Sequence, residues 1–76
     1  MTWTQYPTYL SIEGRECTIT IEPRPHYCDR GSWLAKVFPE GKFGREIDHQ
    51  DGWPRYYFDL SRAKAEVEAW LKRRSQ

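Results

Sequence analysis

Residues 8–22, TYLSIEGRECTITIE, form two runs of alternating apolar and polar side chains, joined at a glycine. Alternation sends every second side chain to the same side of a pleated strand, so the apolar set is buried most simply by an antiparallel hairpin. Gly14-Arg15 suits the two-residue loop, with glycine first as a type II′ turn requires. Glu13 then faces Glu16, Ile12 faces Cys17, Leu10 faces Ile19 and Thr8 faces Ile21. The apolar residues share one face, and Tyr9, Ser11, Thr18 and Thr20 take the other. A one-residue slip would scatter that division.

The segment SWLAKVF-PEG-KFGREID reads as a second hairpin. Pro39 and Glu40 suit the centre of a type I turn, and Gly41 the left-handed position after it. This register pairs Phe38 with Lys42, Val37 with Phe43, Ala35 with Arg45 and Trp33 with Ile47. Trp33, Val37, Phe43 and Ile47 then share the core face, with the Arg45 stem lying flat among them. RYYF, Arg55 to Phe58, offers a short fifth strand.

Asp59 is a good helix N-cap, with Phe58 and Ala63 placed for a hydrophobic staple. Leu60, Ala63, Val67, Trp70 and Leu71 follow at helical spacing as one apolar stripe. Arg62–Glu66 and Glu68–Lys72 are i,i+4 pairs on the polar side. The expected fold is therefore α+β. An antiparallel sheet of two hairpins, four strands with a short fifth available, packs on one C-terminal α-helix in a single domain, 1–76.

A chain of 76 residues has a thin core, and four Trp, five Tyr and three Phe supply the bulk that length does not. The formal net charge is only +1, so overall charge selects no partner. From Leu60 onward five basic residues stand against two acidic ones, a mild dipole rather than a nucleic-acid footprint. Cys17 and Cys28 make no disulfide framework, and Cys17 belongs to the core face. No apolar run has the length of a membrane span, and MTWTQYPTYL lacks the regions of a signal peptide; a cytoplasmic location is expected.

Two connections, residues 22–32 and 48–54, would lie at one end of the second hairpin, and binding residues gather in such places. They carry His26, Cys28 and His49, with Asp29 and Asp51 nearby, all metal-ligand types. His-x-Cys is not a zinc-knuckle spacing and no second paired motif accompanies it, so these read as solvated loop residues. The same residues include a base and a nucleophile type, but nothing orients them, and there is no phosphate-cradling glycine loop, HExxH or carboxylate pair. No enzyme activity, cofactor or metal is expected.

Binding to a macromolecule needs none of those features. Tyr9, Leu34, Lys36 and Phe38 fall on the second sheet face, which Trp3 and Tyr6 could fold back to cover. Tyr27, Leu34, Phe38 and Trp53 are the candidate partner-binding residues, since aromatics are enriched at interface hot spots. The alternative is weak single-stranded nucleic-acid binding, with sheet aromatics stacking bases and Lys72, Arg73 and Arg74 as candidate phosphate contacts. Those three cations equally complement the helix dipole. A short, aromatic-rich α+β chain without a motif resembles the small proteins of bacteria and their phages, including phage inhibitors of host defence complexes. That resemblance implies a regulator or inhibitor of a larger complex. Another protein is the expected partner, and the chain itself is expected to be a monomer or weak homodimer.

Overall fold

The computed structural model describes residues 2–24 and 31–74. Strands β1 (Thr4–Gln5), β2 (Leu10–Gly14), β3 (Cys17–Pro23), β4 (Trp33–Pro39) and β5 (Arg55–Tyr57) form one antiparallel sheet in sequential order. Helix α1 (Leu60–Arg74) covers one face of it. The α+β architecture expected from the sequence is the one observed.

The β2–β3 hairpin keeps its expected faces with a different loop. Gly14 pairs with Cys17, Ile12 with Ile19 and Leu10 with Ile21, so the loop is Arg15-Glu16, with Glu16 at φ 57°. Each pairing has moved by two residues relative to the expected register. A two-residue shift preserves the side-chain alternation, so Leu10, Ile12, Cys17, Ile19 and Ile21 still point into the core.

The second hairpin does not form. Residues 42–46 coil through turns, with Lys42 N donating to Pro39 O, and Arg45 N and Glu46 N both donating to Lys42 O. Gly41 takes the expected left-handed conformation at φ 79°, but Gly44 follows at φ 77°, a region closed to a pleated strand, and winds the segment up. Among residues 42–48, Asp48 alone makes a β-bridge to β4, at Val37. The true neighbour of β4 is β5, which pairs Trp33 with Tyr57, Leu34 with Tyr56 and Ala35 with Arg55. Asp48 and Arg55 thus meet β4 two residues apart, and residues 49–54 are an excursion from its edge, not a loop at the sheet's end. Because Phe43 is freed from the strand, it lies 47% exposed rather than in the core.

The helix forms as its stripe dictates. Asp59 Oδ1 accepts from Ser61 N at 3.1 Å, and Ala63, Val67, Trp70 and Leu71 are buried. Phe58, expected as a staple, leaves most of its ring in solvent. Arg62 and Glu66 pair at 3.7 Å, whereas Glu68 accepts from Trp3 Nε1 at 2.7 Å. Trp3 therefore packs on the helix side and not over the open face. No helix among the described residues is long and apolar enough to cross a membrane.

Candidate functional site

Alternation along β2, β3 and β4 puts Ser11, Thr18, Thr20, Glu22, Leu34, Lys36 and Phe38 on the face that α1 leaves uncovered. Register sets them in transverse rows, Ser11–Thr20–Lys36 and Thr18–Phe38. Small hydroxyl side chains thus form the floor, and Lys36 is ion-paired with Glu22 across it.

Two irregular segments then bring aromatic rings over that floor. Tyr6 N donates to Tyr9 O at 2.8 Å, closing a turn through Pro7 and Thr8 that stacks the two rings at 4.8 Å and 21°. From the other side, the turns after β4 carry Phe43 back across the sheet, to 6.2 Å from Tyr9 and 5.3 Å from Phe38. Tyr6, Tyr9, Phe43 and Phe38 form one continuous aromatic strip. Tyr6 and Phe43 are open to solvent, by 42% and 47%, while Ser11 and Thr20 beneath are buried. A hollow of about 220 Å³ lies on one side of the Tyr9–Phe43 contact, with Thr20, Lys36 and Phe38 in its wall. Another of about 240 Å³ lies on the other side, bounded by Tyr6, Ser11 and Thr18.

The residues expected from the sequence are divided among different places. Leu34 and Phe38 are on this face, but at 2% and 7% exposure they support it from below instead of presenting apolar surface to solvent. Trp53 was expected on an exposed loop; the excursion after Asp48 instead drops it into the core at 2% exposure, edge-on to Trp70 at 5.7 Å. The Arg55 guanidinium caps the Trp53 ring at 4.3 Å and donates to Asp51 O, while Asp51 Oδ2 accepts from Trp70 Nε1 at 2.8 Å. Tyr27, His26 and Cys28 lie outside the described residues. His49 is exposed on the excursion, and no three metal-ligand side chains converge among the described residues.

Lys72, Arg73 and Arg74 end the helix, on the sheet's opposite side from the aromatic strip. Arg74 is engaged locally: its Nε donates to Arg15 O at 3.2 Å, and its guanidinium lies 5.2 Å from the Trp70 ring centre. Cys17 is a free, buried thiol whose pKa is pushed up by burial, with Arg74 opposing the shift and Glu13 and Asp48 adding to it.

Phe43 is the member of the strip that sequence reasoning placed wrongly. The available signal was Gly44 beside it, since a glycine inside a proposed strand marks a bend. Compared with known protein families, curated proteins and solved structures, the chain matches none.

Proposed function

We propose that this chain is a non-enzymatic protein-interaction module whose contact surface is the aromatic strip on the helix-free sheet face. The observation that carries this reading is the exposure of Tyr6 and Phe43 within one continuous run of ring contacts, Tyr6–Tyr9–Phe43–Phe38, set on a three-strand floor. Aromatic anchors on a pre-ordered backbone are the residue type and the setting in which interface hot spots concentrate, because little conformational entropy is lost when they are covered. The surface offers shallow hollows and one neutralised ion pair, which suit a protein contact better than a reaction.

The arrangement of charge favours protein over nucleic acid. Single-strand binders place cations beside their stacking rings, so that the backbone is held while the bases stack. Here Lys36 is paired with Glu22 and Lys42 with Glu46, Arg45 beside Phe43 donates to Gly41 O, and Lys72, Arg73 and Arg74 lie across the sheet from the rings.

The test is capture from native-host lysate, with and without nuclease, using wild type, Phe43→Glu and Lys72→Ala/Arg73→Ala as baits. Capture that survives nuclease and the loss of both cations, but fails in Phe43→Glu, is the expected result. Capture that depends on nucleic acid and on the two cations, and persists in Phe43→Glu, would overturn it.

A further inference from the structure

We propose that the partner seated on this face is a second copy of the chain, packed sheet against sheet about a two-fold axis. This rests on reading the aromatic strip as a protein-binding surface and names its occupant. A two-fold interface requires a surface complementary to itself, so that each feature on one copy finds its counterpart on the other.

The strip has that property in shape. Phe43 projects, 47% exposed, between two hollows of about 220 and 240 Å³, each of a size to accept a single aromatic ring. Rotating a second copy onto the first lets each Phe43 enter a hollow of its neighbour, with Tyr6 covering the ring from outside.

It has the property in charge as well. The charges nearest the strip are of both signs: Lys36 pairs with Glu22 and Lys42 with Glu46, Arg45 stands in the Phe43 loop and Glu13 lines one hollow, so two copies present each other with both signs. The chain's net charge of +1 offers little repulsion to a second copy. An oppositely charged partner, by contrast, would find no field of one sign here.

The size of the face sets the strength. A standard interface removes about 800 Å² from each partner. One long face of a body measuring 35 × 24 × 24 Å is of that order, and the whole chain exposes 5147 Å². The full face is therefore needed, and the Glu13, Glu22 and Lys36 side chains that line its hollows make it only partly apolar. The dimer is accordingly weak and concentration-dependent.

Sedimentation equilibrium from micromolar to millimolar chain concentration tests this on wild type, Phe43→Glu and Phe58→Glu, each checked for fold by circular dichroism. Phe58 is the control: it is 74% exposed, but it borders a separate hollow beside α1. The expected result is a wild-type mass rising toward two chains, Phe43→Glu fixed at one chain, and Phe58→Glu behaving as wild type. Concentration-dependent NMR shifts should centre on Tyr6, Tyr9 and Phe43. A wild type that stays at one chain at millimolar concentration overturns the homodimer. If Phe43→Glu nevertheless abolishes lysate capture, the interface reading survives with a different occupant. A dimer that persists in Phe43→Glu, or is lost in Phe58→Glu, overturns the homodimer on this face, and the interface reading falls with it only if Phe43→Glu also leaves lysate capture intact.

Discussion

A Cβ placed on Gly14 would lie 2.3 Å from Cδ2 of Leu71, inside any permitted contact. Gly14 ends β2, and Leu71 is in the last buried turn of α1, so the two together fix how closely the helix end approaches the β2–β3 loop. Gly14 is not at positive φ. Its need for glycine is packing against the helix, not turn conformation.

Gly14→Ala should therefore destabilise the fold by about 1–3 kcal/mol, the usual cost of overpacking. Urea denaturation would measure it. In a Leu71→Ala background the same substitution should cost much less, because the clashing methyl is gone. An undiminished cost in that background would place the strain on Cys17 instead, whose Sγ lies 2.9 Å from the same Cβ.

Trp70 ties three elements together. It packs edge-on to Trp53 and donates to Asp51 from a helix that also carries Ala63 and Val67 into the core. Trp70→Ala should cost about 3–5 kcal/mol, the range for removing a large buried ring. Asp51→Ala should cost about 1 kcal/mol, since it removes one hydrogen bond at a partly exposed site. Denaturation midpoints at constant slope would separate the two; equal losses would mean that Asp51 holds the excursion in place and that the ring itself matters little.

Alkaline pH should weaken the fold through Cys17 and Tyr57. Burial raises both pKa values, from ordinary values of 9.0 for the thiol and 10.0 for the phenol. For Tyr57, Arg55 opposes the shift and Glu66 adds to it. A raised folded pKa means that, above its ordinary value, the unfolded chain loses a proton the folded chain still holds. Stability is then fully present below pH 9 and declines as pH rises through the folded pKa values. Denaturation midpoints should be level from pH 7 to about 9 and fall above it. Cys17→Ala should make the early part of that fall shallower at whatever baseline stability the variant retains. An unchanged slope would exclude the thiol as its source.

How far the sequence was legible depends on which interactions set each element. The alternation of residues 8–22 and the helical stripe from Leu60 to Leu71 report burial directly, and both faces were placed correctly. Gly14 misled because a glycine in a hairpin suggests a turn, and the side chain that actually excludes a Cβ lies 57 positions further along the chain, at Leu71. Pro39-Glu40-Gly41 signalled a turn correctly, but what followed was decided by Gly44 and by competition for the β4 edge. Arg55–Tyr57 takes that edge opposite Trp33, Leu34 and Ala35, and Phe43 is left to cross the open face. The strip could not be read locally, because Phe43 meets Tyr9 and Phe38 only through tertiary placement, although Tyr6 reaches Tyr9 through a local turn.

Phe38 and Phe43 touch ring to ring at 5.3 Å, yet they should respond to truncation in opposite ways. Phe38 is 7% exposed in the middle of the sheet, opposite Thr18, so Phe38→Ala should cost about 3–5 kcal/mol and lower binding only by weakening the floor. Phe43 is 47% exposed in a loop fixed mainly by backbone hydrogen bonds. Phe43→Ala loses only the buried half of its ring contacts and should cost about 1 kcal/mol, within the range of ordinary surface changes. Measured together, denaturation and partner capture should therefore dissociate: Phe38→Ala shifts the midpoint strongly, whereas Phe43→Ala removes binding with the midpoint nearly unchanged. If Phe43→Ala were instead to unfold the chain, the strip would be a second core holding the loop to the sheet, and its exposed edge would lose its claim to be the contact surface.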